Sequence, residues 1–451
     1  MPSLQSTTIV KPPLSCVCEL PGTPLMVVGG GGGSSKSGMK NELTVTTISR
    51  TRVDSVTDIC AISTGDMVAS TVSAAKLSEG SSVLAAGVYP GLNFYKLKLS
   101  ASSSSSTISY SKIGSVEIGG TDGVNSCKII STSASNFKCI AVCEDGTVSE
   151  YSLDASVEPA KIECTSSSKP HDGKPVLASA LWSRRMDEGS MTGGKDGKAI
   201  VTLNGVRHEL KCEIAELKPG KYSNERQKAL DKQVLVRGVA KDGDNYYTLA
   251  CGRRGGSFLG RWNLVGGQMK LTGVTCVDDE YPVSQMQVVP SREDGITVIL
   301  TASVEGLLKT WWDSGEGGEL VKFRGNPESP RSGYGGMFSS NKNSVQAHDL
   351  PITGICVAHG IDVDAVSVSA DHKISRVKVF GPPIVEPKKG GSWSGWFFVL
   401  FILMFAIYMK IAVDTFCKGE LTDFECLKFF TVDVVKGQIS VFDPFKKLLR
   451  T

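Results

Sequence analysis

Five consecutive glycines, Gly29–Gly33, stand between two apolar segments near the start of the chain. The sequence SSKSGMKN follows them, and the next apolar segment begins at Leu43. Glycine permits backbone angles that other residues avoid, so several carbonyl oxygens of one loop can point toward a single centre. Such a loop is suited to cradling a phosphate, to binding an ion, or to serving as a flexible connector.

A nucleotide-binding phosphate loop is the first alternative, and its motif is G-x-x-x-x-G-K-[ST] between a strand and a helix. Lys36 and Ser37 supply the last two positions, but Ser35 stands where the motif requires glycine. The residues that follow, NELTVTTI, are rich in β-branched side chains and predict a strand. Because no helix N-terminus is then available to bind a phosphate, the sequence argues against this alternative.

A flexible connector is the default interpretation of a Gly/Ser run. Here the loop lies inside a predicted hairpin, and its second half contains Met39 and Asn41, whose side chains are useful at a binding surface. The third alternative is an ordered loop that projects from the fold, in which a ring of carbonyl oxygens holds a weakly hydrated monovalent cation. We favour this third interpretation.

Strand–turn–strand units recur about every 40 residues through the first 385 positions, which is the period of four-stranded propeller blades. Seven units are recognisable: Leu25–Ile48, Ser82–Leu99, Cys139–Leu153, Gly193–Asn204, Leu249–Leu264, Val298–Trp312 and Ala365–Phe380. Turn residues such as Asp145-Gly146 and Glu305-Gly306 separate their strands. The sequence therefore predicts an all-β fold, a seven-bladed β-propeller, and a pair of β-sandwiches is the structural alternative.

Shorter segments between these units give further expectations. Each unit is expected to follow another short strand, and the examples are Thr57–Ile62, Val176–Leu181, Ser284–Val289 and Ile352–Val357. The polar tracts Ser100–Thr107 and Ser166–Lys169 are predicted to be loops between blades. Helical periodicity is scarce: Glu209–Lys218 is ambiguous, and Asn224–Lys232 is predicted to be a surface helix.

A continuous apolar segment near the other end of the chain predicts a membrane anchor. Trp396–Met409 contains no charged residue, and the surrounding 21 residues, Trp393–Val413, would form a helix of roughly 31 Å, which is long enough to cross a bilayer. A buried core helix is the alternative. The predicted organisation is a propeller over 1–385, a linker over 386–395, a transmembrane helix over 396–413 and a tail over 414–451.

Composition narrows the class of protein. Eleven of the thirteen cysteines precede residue 390 without the spacing of a zinc site or a disulfide framework, so we expect reduced thiols and a cytosolic propeller. The tail would then be lumenal, where Cys417 and Cys426 either pair or stay free. A net charge of +3 is too small to indicate a nucleic-acid-binding protein.

No arrangement of residues points to covalent catalysis. No nucleophile motif lies near the five histidines, His171, His208, His348, His359 and His372. Asp145, Asp196 and Asp371 occupy predicted turns. We expect all of these side chains to be structural, with His348 and His372 at positions where propeller blades often place histidines.

The glycine loop closely resembles the signature loop of one family, the ER-membrane guanine nucleotide exchange factors for the small GTPase that starts COPII coat assembly, known in animals as the prolactin regulatory element-binding protein family. The matching residues are Gly30–Gly33, Gly38, Met39, Asn41 and the strand Leu43–Val45. The order of first-blade loop, WD-like last blade and C-terminal anchor is also similar. The long lumenal domain of some fungal members has no counterpart in this 38-residue tail.

The resemblance implies a potassium-binding loop that engages the GTPase in its GDP-bound or nucleotide-free state, at the ER membrane. It implies that Asn41, Met39 and Gly38 act on the GTPase, while Gly31, Gly32, Gly33, Ser35 and Asn41 surround the K⁺ ion. Exchange makes no covalent bond and needs tighter binding of the nucleotide-free GTPase than of the loaded one. The alternative is a membrane-anchored propeller scaffold without exchange activity, since fold alone does not decide function.

Overall fold

A computed structural model describes residues 5–10, 12–33, 38–48, 56–101, 106–118, 123–184, 187–212, 234–252, 256–278, 281–289, 297–313, 321–322, 344–359 and 363–378. The chain divides into two compact units, Met1–Pro382 and Pro383–Thr451, and every described residue belongs to the first. Among the residues of these ranges, no helix is long and apolar enough to cross a membrane. The predicted linker, transmembrane helix, tail and surface helix 224–232 lie outside the described residues.

The described residues form seven antiparallel sheets, the blades of a propeller. Blade 1 contains β2 (Leu14–Glu19), β3 (Leu25–Gly30), β4 (Asn41–Ile48) and β5 (Val56–Gly65); blade 2 contains β6 (Ala69–Ser78), β7 (Ser81–Val88), β8 (Gly91–Ala101) and β9 (Ser106–Glu117). Blade 3 contains β10 (Val124–Ser131), β11 (Asn136–Cys143), β12 (Val148–Asp154) and β13 (Lys161–Ser168); blade 4 contains β14 (Val176–Arg184), β15 (Asp187–Gly194), β16 (Lys198–Leu203) and β17 (Val206–Lys211).

The remaining three blades follow the same order. Blade 5 contains β18 (Val234–Asp242), β19 (Asn245–Gly252), β20 (Ser257–Val265) and β21 (Gln268–Asp278). Blade 6 contains β22 (Val283–Val289), β23 (Thr297–Ser303), β24 (Leu307–Asp313) and β25 (Val321–Lys322), with β26 (Ser344–Gln346) also pairing with β24. Blade 7 contains β27 (Ile352–His359), β28 (Val363–Ser369), β29 (Lys373–Lys378) and the N-terminal strand β1 (Gln5–Ile9).

The ring is closed by the two ends of this unit. β1 pairs antiparallel with β29, from Gln5 opposite Val377 to Ile9 opposite Lys373, and so supplies the outer strand of blade 7. The first strands of neighbouring blades also contact one another around the whole ring, from β2 through β6, β10, β14, β18, β22 and β27 back to β2. The seven-bladed prediction is therefore confirmed.

The strands of a blade differ in burial, and their residue types differ accordingly. The second strand of a blade lies between two neighbouring sheets, so β3, with the sequence LMVVGG, is buried along its whole length. The fourth strand lies at the rim, and β13, with the sequence KIECTSSS, is exposed at seven of its eight residues. Polar β-branched and small residues are compatible with such a strand, because its backbone pairs with β12 while its side chains face water.

Three local predictions were wrong, those for Thr57–Ile62, Ser100–Thr107 and Ser166–Lys169. Thr57–Ile62 lies in β5, the outer strand of blade 1, and not in the first strand of the next blade. Ser100 in β8 pairs with Thr107 in β9 within blade 2, while residues 102–105 of this tract lie outside the described residues. Ser166–Ser168 belong to strand β13. The segment Glu209–Lys218, which the sequence left ambiguous, begins inside strand β17, where Glu209 pairs with Ile200. Its residues after Cys212 lie outside the described residues.

A polar residue bulges from the first strand of five blades and bonds to the first strand of the next blade. The donor–acceptor distances are Ser15 Oγ–Ala69 O 2.6 Å, Ser70 Oγ–Val124 O 2.5 Å, Asn125 Nδ2–Val176 O 2.8 Å, Ser284 Oγ–Ile352 O 2.8 Å and Thr353 Oγ1–Leu14 O 3.0 Å. Leu177 and Arg237 occupy the corresponding bulges of blades 4 and 5. These hydrogen bonds link blades side by side, including blade 7 to blade 1.

Buried histidines cross-link the strands of blades 4 and 7. His348 Nδ1 lies 3.1 Å from Asp371 Oδ1 and its Nε2 lies 2.9 Å from Ser367 Oγ. His171, which lies in a turn, is also fully buried, 2.9 Å from Asp196 Oδ1 and 3.0 Å from Thr192 Oγ1. The structural interpretation of His171 and His348 is confirmed.

Blades 5 and 6 use a tryptophan in place of the histidine. Trp262 Nε1 donates to Thr248 Oγ1 at 3.0 Å, and Trp311 Nε1 donates to Thr301 Oγ1 at 2.9 Å. Buried polar groups of this kind need a partner, and here the partner lies on the adjacent strand of the same blade. These contacts give the blades a WD-repeat-like structure, although successive blades use different parts of the pattern.

Candidate functional site

The glycine loop connects β3 and β4 in blade 1, as the sequence predicts. The structure describes Gly31–Gly33 and Gly38–Lys40, while residues 34–37, including the predicted ion ligand Ser35, lie outside the described residues. Gly31 N donates to Pro13 O at 3.1 Å, so the loop leaves β3 in contact with the segment that precedes β2. The start of the loop is therefore held to blade 1 by a backbone hydrogen bond.

Asn41 joins the two ends of this loop. Its Nδ2 donates to Gly33 O at 2.8 Å and to Gly65 O at 3.2 Å, and its Oδ1 accepts from Gly33 N at 3.1 Å. The side chain is 5% exposed. An asparagine amide has two donor hydrogens and two acceptor lone pairs, so both donors and one acceptor are used within the blade.

Three glycines give the loop its shape. Gly31 has φ 155°, Gly33 has φ 77° and Gly38 has φ 70°, all in the region that favours glycine. A Cβ on Gly31 would meet Asn41 Oδ1 at 2.2 Å, whereas a Cβ on Gly33 or Gly38 would meet no heavy atom within 4 Å. Gly31 therefore makes room for the Asn41 amide, while Gly33 and Gly38 provide backbone turns.

The donor set of the predicted ion site consists of neutral oxygens. Gly31, Gly32, Gly33 and Asn41 lie together at the start and end of the loop, and carbonyl and amide oxygens suit a weakly hydrated monovalent cation. In the part of the chain that the structure describes, no group of three or more His, Cys, Asp or Glu is placed to hold a metal ion. The predicted K⁺ site has a different chemistry and does not depend on such groups.

One face of the propeller carries the turns between the second and third strands of each blade and the connections between blades; we call it the loop face. The glycine loop lies on this face, because it connects the second and third strands of blade 1. β4 begins at Asn41 opposite Gly65, the last residue of β5, so Met67 lies at the same end of blade 1 as Met39. Met39 is 43% exposed and Met67 is 39% exposed. Further exposed apolar residues on the loop face are Tyr89, Tyr281 and Leu350.

The cysteine thiols near the loop are inert by burial. Burial raises the pKa of Cys16, which lies beside Gly29, to about 12, and burial raises the pKa of Cys127 to about 11. A thiol with such a pKa stays protonated near neutral pH and is a poor nucleophile and metal ligand. Among the described cysteines, only Cys164, on strand β13, is exposed to solvent.

An open groove of about 730 Å³ lies between blades 2 and 3. Its lining includes Glu117, Tyr151, Cys164 and the ion pair Lys169–Asp145, whose charged atoms are 3.0 Å apart. The Asp145 carboxylate also accepts from Thr147 N at 2.9 Å, as expected for a turn residue. The Asp145 carboxylate therefore binds both its own turn and the Lys169 ammonium.

No family model matches the chain, and no curated protein matches its sequence. The structure is similar to solved structures of the Sqt1 protein. The Sqt1 protein of Chaetomium thermophilum bound to the N-terminus of the ribosomal protein L10 is 14% identical, with a TM-score of 0.52 over 82% of this chain and 99% of that chain. A second structure of Chaetomium thermophilum Sqt1 is 14% identical, with a TM-score of 0.53 over 83% and 97% of the two chains. At this identity the likeness concerns the fold, an all-β WD-repeat-like propeller.

Proposed function

We propose that this protein is a guanine nucleotide exchange factor, anchored in the ER membrane, for the small GTPase that initiates COPII coat assembly. The proposal is supported by one structural observation above the others: a glycine-rich loop on the first blade is fastened at its base by Asn41. A propeller turn needs two to four residues, so a ten-residue connection between β3 and β4 costs ordering entropy that the blade itself does not require. A loop whose base is already fixed loses less conformational entropy when it binds a partner.

The proposed role of the loop is to bind the nucleotide-free GTPase better than the loaded one. Exchange then follows from differential affinity, because a partner that stabilises the empty state accelerates release of GDP. Met39, which is exposed, would fill an apolar depression of the GTPase. Gly38 allows the backbone turn that presents Met39, through its φ of 70°.

Asn41 has a different proposed role from the one that its residue type alone suggests. The family resemblance implies direct contact with the GTPase, whereas the Asn41 amide is buried and bonded to Gly33 and Gly65. We propose that Asn41 stabilises the base of the loop, while the exposed part of the loop contacts the GTPase. Gly31, Gly32, Gly33 and Asn41 would hold K⁺ through their oxygens, with Ser35 as a further ligand; the ion would neutralise the converging carbonyl dipoles.

The test is the rate of GDP release from the COPII-initiating GTPase with the full chain in detergent micelles, measured in potassium and in sodium buffers. We expect potassium-dependent acceleration from the parent chain and at least a tenfold loss in Asn41→Ala. Tyr89→Ala, on the same face but outside the loop, is the matched control. Acceleration of equal size in both salts would support exchange activity and contradict a role for K⁺. If a folded chain did not accelerate GDP release, exchange activity would be rejected.

A membrane-anchored scaffold without exchange activity is the second candidate. Exposed Tyr281 and Leu350 lie on the loop face outside blade 1, so this face offers apolar contacts that the loop does not supply. A folded chain that binds the GTPase without altering GDP release would support the scaffold.

A further inference from the structure

The face opposite the loop face has its own set of exposed apolar residues. We call it the turn face; it is defined by the turns between the third and fourth strands of each blade. Its apolar tips are Val157 in the β12–β13 turn, Val206 at the start of β17, and Leu264 with Val265 at the end of β20. These side chains are between 45 and 58% exposed. They belong to blades 3, 4 and 5, which are consecutive in the ring.

The ends of described strands show where the chain leaves this unit. β29 starts at the Asp371–His372 turn on the loop face and ends at Lys378, so it ends on the turn face. Seventeen residues, 379–395, separate Lys378 from the apolar segment that begins at Trp396. Fully extended they span at most about 60 Å.

Three of the acidic residues near the apolar tips are paired with lysines within the protein. Glu158, next to Val157, lies 2.9 Å from the Lys96 ammonium. Glu188 pairs with Lys138, and Asp187 pairs with Lys241. Such pairs reduce the repulsion that unpaired carboxylates would feel from anionic lipid headgroups.

Cations stand beside two of the tips. Arg207 directly follows Val206, and Lys270 pairs in register with Asn263, next to Leu264. Apolar side chains that enter the headgroup region and neighbouring Lys or Arg that remain at the headgroups are the combination by which proteins lie on a bilayer surface.

We propose that the turn face of blades 3–5 rests on a lipid bilayer, with Val157, Val206, Leu264 and Val265 entering the interface. This inference goes beyond nucleotide exchange and does not depend on it; it depends on the predicted apolar anchor that follows the linker. Weak individual insertions add up, because once one tip has entered the interface the neighbouring tips are held at high local concentration. The loop face, with Met39 and Asn41, then points toward the aqueous phase.

The experiment uses the full chain reconstituted into vesicles of phosphatidylcholine and phosphatidylserine, with or without brominated acyl chains as quenchers. Val206→Trp places a fluorescent probe at a turn-face tip, and Leu350→Trp, also at an exposed apolar position, places one on the loop face. The emission added over the parent chain is compared. We expect bromine to quench the Val206→Trp signal at least twofold and to leave the Leu350→Trp signal unchanged.

Adding Leu264→Ser and Val265→Ser to the Val206→Trp chain is expected to reduce the quenching. The two serines would no longer insert into the bilayer interface, so the turn face would bind the bilayer more weakly. Equal quenching of both probes, or quenching of neither, would overturn the proposal. A chain that does not float with the vesicles would overturn it as well, since the membrane anchor would be absent. GDP release measured on the same samples reports separately on exchange, so the two proposals fail independently.

Discussion

Asn41 and Gly33 are joined by two hydrogen bonds that run in opposite directions, from Asn41 Nδ2 to Gly33 O and from Gly33 N to Asn41 Oδ1. The side chain thus forms the same pair of bonds with Gly33 that a residue on an adjacent strand would form through its backbone. A third bond, to Gly65 O, ties this pair to the end of β5. These bonds therefore extend the hydrogen-bond pattern of the blade 1 sheet into the base of the loop.

Asn41→Asp and Asn41→Ala separate the two halves of this contact. The aspartate retains an acceptor for Gly33 N–H but loses both donors, because an ionised carboxylate only accepts. We expect a loss of about 1–2 kcal/mol in the free energy of unfolding for the alanine variant. The loss should be larger for the aspartate at neutral pH, because its buried charge would face the carbonyl oxygens of Gly33 and Gly65. Urea denaturation measures this, and faster trypsin cleavage within residues 31–40 should accompany it. Unchanged cleavage in both variants would contradict the fastening role.

Gly31→Ala and Gly38→Ala test the space that the asparagine needs. Both positions have positive φ, so either substitution strains the backbone, by about 1 kcal/mol. In Gly31→Ala the new methyl also meets Asn41 Oδ1, which must move. We therefore expect loop cleavage and GDP release to change much more in Gly31→Ala, and equal effects in the two variants would show that strain alone matters.

Thr353→Val removes the hydroxyl that links blade 7 to blade 1. The Thr353 hydroxyl lies 3.0 Å from Leu14 O and 3.2 Å from Val368 O, and valine has nearly the same shape without a donor. Leaving a carbonyl oxygen unpaired at this junction should cost about 1–3 kcal/mol. Thermal unfolding measures the loss, and Thr107→Val on the exposed strand β9 serves as the control. No difference between the two variants would indicate that β1–β29 pairing alone closes the ring.

Asp313 is the buried anion of a network between blades 5 and 6. Arg261 Nη1 donates to it at 2.6 Å and the Tyr247 hydroxyl donates at 2.9 Å, while burial raises the pKa of Tyr247. Asp313→Ala would leave the arginine charge buried, at a cost of about 3–5 kcal/mol. Glu163→Ala, which breaks the exposed pair with Lys161, should cause no measurable loss in the same denaturation series. Equal stability of the two variants would contradict a structural ion pair.

Thiol labelling tests the burial of the cysteines. At pH 8 we expect N-ethylmaleimide to modify Cys164 in the native chain and to leave Cys16, Cys127 and Cys143 unmodified, as read by mass spectrometry of peptides. Burial raises the pKa of Cys143 to about 11 from an ordinary value of 9.0, and the unfolded chain loses this shift. The contribution to stability is therefore complete below about pH 9 and declines as the pH rises toward 11. Rapid native labelling of Cys16 would contradict its position in the core.

The sequence alone determined the number of blades, the hairpins within them and the position of the loop. Turns such as Asp145-Gly146 and the small apolar runs beside them are local signals, because turn chemistry and side-chain period act over a few residues. For the same reason the apolar, β-branched residues on either side of the glycine run are sufficient to place it between two strands.

The tertiary structure decided the partners of those segments. β1 belongs to blade 7, His171 reaches Asp196 and Thr192, and Arg261 reaches Asp313, across separations of 21 to 52 residues or more. The sequence also could not show that Asn41 turns inward to Gly33, because an asparagine at a loop end is equally suited to a partner outside the protein. Burial settles such choices, since a polar side chain that loses contact with water must find its hydrogen bonds among whatever backbone the fold brings beside it.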